Sequence, residues 1–458
     1  LRCRDDYDYD HDRDYDNNQE GACPMKKRYA VVGVSHRALT MFINPILGPY
    51  ADVAELVAFV DLSADRMRDM NALKKTAIPC YTPEQFDRMV AEAKPDVVIV
   101  ATIDCTHHDY IIRALAHDLD VYCEKPLTTD AAKARAILAA EAKSKGRVTV
   151  TFNYRYEASS TQVRSIIQAG GVGKVVSLDL NWYLDTYHGS SYFMRWNRVR
   201  ANSGGLNVHK ATHHFDLLSW WIGQKPVEVF AYGALNFFGK NGPRNPRKVD
   251  GRVCPACPDR KACAYYMRWH RDEWRGATAD PQKQLEDHVA GLQASFSHYK
   301  NANARRCIYD SEIDIEDTYT ALIKFDGGAT ATYSLNGSVP FEGFRLGING
   351  LDGRLEYESL DPRQGQPMPE PPRQDITLIK LFGERQTIRP VKLPGSHGGA
   401  DPLLQDDLFR GRDPGEPVVR MAPLMDGVLS VLTGVALHTS MTEHRPVTIR
   451  ELLEAEKT

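Results

Sequence analysis

An apolar run, Val121-Tyr122-Cys123, leads straight into Glu124-Lys125-Pro126, a carboxylate, an ammonium and a residue with no backbone N–H. Pro126 stops strand pairing and pushes Lys125 towards extended backbone, so the lysine is expected at a strand's carboxyl end. In an open parallel sheet ligands bind at that edge, which makes Lys125 and Glu124 candidates for a site; the plainer alternative is a surface ion pair at a turn. A second group lies in Ser203-Gly204-Gly205-Leu206-Asn207-Val208-His209-Lys210-Ala211-Thr212-His213-His214-Phe215-Asp216. The glycines interrupt the chain, helical spacing follows, and His209 and His213 are expected on one helix face. Paired imidazoles suit acid–base catalysis near neutral pH. A zinc pair of the HExxH kind would need glutamate where Lys210 stands, and a cation there opposes metal binding. Histidines with no chemical role are the third alternative.

These groups need a scaffold. Residues 29–32 form an apolar run that meets Gly33, and a helical pattern follows through Leu39, Phe42 and Ile43, the strand, turn and helix of a dinucleotide-binding unit. The glycine fingerprint is partial: Gly33 fills the first position, Ser35 stands at the second and Ala38 at the third, and a generic tight turn is the alternative. A strand over 56–60 ends at Asp61, which can accept both ribose hydroxyls and repel a 2′-phosphate, favouring NAD over NADP; its other role would be a helix cap. Further strands are predicted at 97–101, 120–124 and 148–152, with a helix over 108–117. The alternation predicts a doubly wound parallel sheet over residues 25–153. Expected cofactor contacts are Gly33, Ser35, His36, Arg37, Asp61, Thr102, Glu124 and Lys125, with His107 as a wall of the crevice.

After Asn153 the strands lengthen and alternate, as in an antiparallel sheet with one covered face. They are predicted at 175–183, 227–235, 318–325 and 329–335, the last two as a hairpin around Asp326-Gly327-Gly328. Residues 154–458 are thus expected to form a second, α/β domain for substrate binding and oligomerisation, with a loop at 361–372. Asn153, Arg155, Tyr187, His188, Arg195, Trp196 and His213 are the expected substrate contacts, because arginine and aromatic residues suit the polar edges and apolar face of a hydroxylated ring. Near 250–310 an insert carries Cys254, Cys257 and Cys263, with Cys307 beyond; four thiolates satisfy tetrahedral zinc, and an iron–sulfur cluster or free thiols are the alternatives. Asp401-Pro402 is expected to cap a helix, with His397 on the glycine loop before it, and a further helix is expected over 425–440.

The chain has 458 residues and a net charge of −3, which argues against nucleic acid as a partner. Residues 1–24 hold eight acidic and three basic side chains and are expected to be disordered. We expect no membrane span, since no run of about eighteen apolar residues stands out, and no signal segment, which makes the cytoplasm the expected compartment.

In combination the Gly33 turn, Asp61, Cys123-Glu124-Lys125-Pro126, Asn153-Tyr154-Arg155 and Gly204-Gly205 leading to His213-His214-Phe215-Asp216 resemble the Gfo/Idh/MocA oxidoreductases, the glucose-fructose oxidoreductase and inositol dehydrogenase group. The resemblance implies an NAD(P)-binding Rossmann domain followed by a domain whose open, mostly antiparallel sheet mediates homo-oligomerisation. It gives Lys125 and His213 as catalytic, with NAD as hydride acceptor, His213 as base and Lys125 as the cation that stabilises alkoxide. Where the family has aspartate this chain has His209, and a second imidazolium there, with Lys210, is expected to lower the pKa of His213. The expected substrate is a sugar, glycoside or cyclitol. A glycosidase that oxidises its substrate transiently with NAD, and a non-catalytic binding protein, are the alternatives.

Overall fold

The computed structural model describes residues 25–246, 249–252, 254, 257–260, 262–269, 306–361, 374–391, 393–394 and 396–454. The expected acidic tail and most of the cysteine insert lie outside these residues, as does nearly all of the loop at 361–372.

Strands β1 (Lys27–Val32), β2 (Ala54–Val60), β3 (Cys80–Tyr81), β4 (Val97–Val100), β5 (Asp120–Cys123) and β6 (Val148–Val150) are parallel, in the order β6-β5-β4-β1-β2-β3. All four residues of β4, Val-Val-Ile-Val, are fully buried, as expected for a parallel strand covered on both faces. Strand order reverses between β1 and β4, which opens a crevice at their carboxyl ends. Gly33, directly after β1, has φ +86°, and a Cβ there would lie 2.7 Å from the backbone of Ala101 and Thr102, so the close approach of the two strand ends requires glycine.

The second sheet holds β7 (Val175–Asp185), β8 (Pro226–Ala234), β9 (Thr318–Phe325), β10 (Thr330–Val339), β11 (Glu342–Gly350), β12 (Gly353–Asp361), β13 (Ile376–Lys380) and β14 (Arg385–Ile388). Their order is β14-β13-β12-β11-β7-β10-β9-β8, antiparallel except for β7 against β10. In β9, Tyr319, Ala321, Ile323 and Phe325 point into the core while Leu322 stays exposed. The alternation that predicts β7 to β10 is real. It fails for β11, whose glycines at 343, 347 and 350 dilute the apolar period.

The C-terminal residues do not belong wholly to the second domain. Strand β15 (Ala422–Pro423) adds antiparallel to β6, and the helix Ala400–Phe409 sends Leu404, Leu408 and Phe409 into the core beside Tyr29 and Phe59 of the first sheet. Strand β16 (Val447–Thr448) closes the second sheet beside β8. The helix Leu424–Glu443 is an apolar run of a length not expected from the sequence. It is long and apolar enough to cross a membrane by length and composition, yet 67% of its apolar window is buried, packed against β8 and the helix Thr212–Ile222.

Candidate functional site

At the switch point an open cleft of about 380 Å³ is lined by Gly33, Ser35, Asp61, Arg66, Thr102 and Tyr110, among others. Ser35 replaces a fingerprint glycine for a local reason: its Oγ accepts from Ala38 N at 3.1 Å and caps the helical run that begins at His36, itself exposed. Asp61 is more occupied than its position suggests. Its Oδ2 accepts from Val34 N at 2.8 Å, its Oδ1 from Ser63 N at 2.9 Å, and Arg66 Nη1 lies 3.2 and 3.3 Å from the two oxygens. Ser63, not Asp61, caps the next helix. His107 is also corrected. It begins the helix His107–Ala116, is fully buried, and commits its ring nitrogens to the carbonyls of Pro126 at 2.8 Å and Thr102 at 3.2 Å, tying the loops after β4 and β5 together.

The loop after β5 holds Glu124 and Lys125 in different electrostatic settings. Glu124 is paired with Arg37, whose Nε lies 2.8 Å from Oε1, and Arg37 Nη1 reaches Asp401 Oδ2 at 3.0 Å. Asp401 does not cap its helix, where Gly399 stands; it is buried in the first turn and also accepts from Asn153 Nδ2 at 2.9 Å and meets His397 Nδ1 at 2.8 Å. Arg37 and Asn153, expected as cofactor and substrate contacts, are therefore parts of this internal network. Lys125 has no carboxylate in ion-pair range among the described residues; its Nζ donates to the His209 carbonyl at 3.2 Å. Burial pulls its pKa down to about 8 against the upward pull of Asp104 and Glu124, with Lys210 and Arg37 adding to the fall.

His209 and His213 do not share one continuous helix face. Leu206–His209 and Thr212–Ile222 are separate helices that break at Lys210 and Ala211. The break sends His209 towards the first domain, where its Nδ1 lies 2.5 Å from Asp104 Oδ2 while its Nε2 accepts from Asn197 Nδ2 at 3.0 Å. Burial raises Asp104 to about 7. His213 instead stacks on Tyr154, with centroids 4.2 Å apart and planes at 15°, and its Nδ1 is buried with no hydrogen-bond partner among the described residues. Burial, then the charges of Lys125 and Lys210, hold His213 well below the usual imidazole range. The expected depression is present and Lys210 contributes to it as expected, but burial and Lys125 are the larger causes and His209 is not among the leading ones. Asp104 escapes a search by motif, although it is the acid in the loop after β4, at the sheet edge that carries the site.

Of the expected substrate contacts, Arg155 is the clearest correction. It is buried, grips Asp216 with Nε and Nη2 at 2.8 and 2.5 Å, and reaches Asp426 at 2.7 Å. Its fork is saturated, so it locks the helix carrying His213 onto the rest of the fold. Tyr187 and His188 sit where Asp185 Oδ1 accepts from both backbone amides, at 3.0 and 2.6 Å, and the His188 ring bridges Glu342 and the Tyr192 hydroxyl at 2.8 Å each. Trp196 meets the His209 ring edge-on at 5.4 Å. Arg195 is exposed, with its Nε and Nη2 both 3.1 Å from Ser191 oxygens.

Cys254, Cys257, Cys263 and Cys307 line one cavity with Tyr265, Ile308 and other residues. Among the described residues, however, no three His, Cys, Asp or Glu side chains group as a metal ion needs, and the structure gives the zinc expectation no support. The cavity's burial pushes the Cys254 thiol up to about 12, which keeps it protonated.

Comparison with known proteins agrees with this architecture. Residues 27–152 match the model described as "Oxidoreductase family, NAD-binding Rossmann fold", and residues 164–449 match "Oxidoreductase family, C-terminal alpha/beta domain". YteT of Bacillus subtilis (strain 168), a protein named as an oxidoreductase, is 44% identical over 434 residues, 93% of this chain and 99% of that protein. An inositol 2-dehydrogenase of Rhizobium meliloti (strain 1021) is 30% identical over 150 residues, 33% of this chain and 43% of the enzyme. The crystal structure of an aldose-aldose oxidoreductase from Caulobacter crescentus superposes with a TM-score of 0.59 at 19% identity, covering 93% of this chain and all of that one, which is a likeness of fold.

Proposed function

Since the chain belongs to the Gfo/Idh/MocA oxidoreductase family, we propose that it is an NAD-dependent dehydrogenase of a secondary hydroxyl on a sugar, glycoside or cyclitol. The observation that carries this reading is Lys125: a half-buried amine at the carboxyl end of β5, with no carboxylate in ion-pair range among the described residues and a pKa of about 8.

A general base works best with a pKa near the operating pH. Lys125 meets that condition, whereas His213, held well below 6.5, is a weak proton acceptor. Neutral Lys125 therefore takes the hydroxyl proton during oxidation and returns it during reduction, which reverses the expected division of roles. His213, stacked on Tyr154, orients the hydroxyl as a neutral hydrogen-bonding ring. Behind Lys125, Asp104 is hydrogen-bonded to His209, and its charge raises the pKa of Lys125. The cleft suits a dinucleotide: Gly33 permits close approach, the helical run after Ser35 offers its amide end, and Thr102 lines the opposite wall. When bound, NAD takes up or gives back the hydride. Asp61 engages the Arg66 guanidinium that a 2′-phosphate would need, which supports NAD over NADP. The open face of the second sheet, with Tyr232 and Leu322 exposed, supports self-association.

A screen of sugars and inositols with NAD, read at the nicotinamide absorbance, tests the reading. Net NADH supports it. Product release without net NADH favours the oxidation–elimination glycosidase, and NAD binding with neither favours a binding protein.

A further inference from the structure

We propose that the substrate carries an anionic group, a sugar carboxylate or phosphate, and that Lys210 and Arg195 receive it. The inference rests on the reading above for the location of the site but not for the reaction.

Lys210 is only 3% exposed, yet its Nζ has one hydrogen bond, to the Tyr154 hydroxyl at 2.8 Å, and no carboxylate in ion-pair range among the described residues. The ammonium lies over the Tyr154 and Trp182 rings, 4.8 and 5.4 Å from their centroids. An ammonium so far removed from water calls for a counter-charge, and ring faces supply only part of one. Arg195, exposed at the same site, is held by the carbonyl and hydroxyl of Ser191, both neutral.

The nearby carboxylates are committed elsewhere. Glu124 pairs with Arg37, Asp104 with His209, Asp216 with Arg155, and Glu342 with His188 and the Asp185 amide. Among the described residues, Lys125, Lys210 and Arg195 thus surround the site without an ion-pair partner of their own, and the charges of all three reach His209. Tyr154 links Lys210 directly to the proposed reaction centre, because the ring whose hydroxyl accepts from Lys210 stacks on His213 at 4.2 Å. Tyr192, edge-on to His209 at 5.5 Å, lies within reach of both Lys210 and Arg195. A neutral polyol would leave this excess uncompensated. A substrate with an anion a few bonds from the reacting hydroxyl would satisfy Lys210 and Arg195 while that hydroxyl meets Lys125.

The test uses the full chain loaded with NAD and a panel of hexuronates, aldonates and hexose 6-phosphates, each beside its neutral hexose or inositol. Turnover is read as NADH and binding by titration calorimetry. At least one acid is expected to bind about tenfold or more tightly than its neutral counterpart. Lys210→Met and Arg195→Gln should each lower that preference by about tenfold. The exposed Arg195 variant keeps the test decisive if Lys210→Met fails to fold. Carboxylate and phosphate arms separate the two sources of charge. Acid binding that is sensitive to the variants but comes without turnover sinks the dehydrogenase reading and leaves this one standing. Binding of no acid, equal affinity for acid and neutral sugar, or a preference that survives both substitutions overturns it.

Discussion

His209 Nδ1 lies 2.5 Å from Asp104 Oδ2, so the helix break in the second domain is hydrogen-bonded to the loop after β4 in the first. Asp104 is also the foremost charge raising the pKa of Lys125. Asp104→Asn keeps the shape and removes the charge, which should move the midpoint of the pH–rate profile below 8. The turnover rate should fall about tenfold through looser orientation of His209. A profile with an unchanged midpoint would show that the two groups do not communicate.

The wild-type profile follows from the depressed pKa of Lys125. The folded value, about 8, lies below the ordinary lysine value, so the folded state gives up this proton first. Oxidation should therefore accelerate as pH rises through about 8, and reduction should slow over the same range. Between the folded and unfolded values the unfolded chain binds more protons, so this group's contribution to stability rises with pH in that window. Initial rates in both directions from pH 6 to about 10 check the prediction.

Asp61 and Arg66 form a pair with both side chains only 4% exposed. Asp61→Ala would release the guanidinium from its carboxylate and leave room for a 2′-phosphate, and the NADP-to-NAD ratio of kcat/KM should rise by about tenfold or more. A variant that loses both cofactors equally would show that Asp61 only braces the turn after β1.

Arg155 joins Asp216 and Asp426 beside the site. Arg155→Met strands Asp216 and Asp426, and the loss should be about 3–5 kcal/mol, measurable by denaturant unfolding. An effect well under 1 kcal/mol would mean that water replaces the guanidinium at little cost.

The parts of the fold legible in the sequence were those written in local pattern. The apolar strands β1, β2 and β4 to β6, the hairpin of β9 and β10, the turn at Gly33 and the edge position of Lys125 each follow from period, glycine or proline. What local pattern does not carry is partnership. Nothing within ten residues of Arg155 or Asn153 reveals that Asp216 and Asp401 engage them. Spacing places His209 and His213 on one face only if the helix continues, and the break at Lys210 and Ala211 turns one ring to Asp104 and the other to Tyr154. Lys210 looked like an obstacle to metal binding, and only burial shows it as a charge in want of a partner. The helix Leu424–Glu443 likewise owes its apolar surface to its place in the core.

Lys125 is proposed to handle the hydroxyl proton. This role is tested most directly by Lys125→Ala, with NADH formation on the best substrate and NAD affinity measured on the same preparation. The expected outcome is kcat lowered by about 10²- to 10⁴-fold with NAD affinity little changed. Turnover equal to that of the unaltered chain would contradict that role.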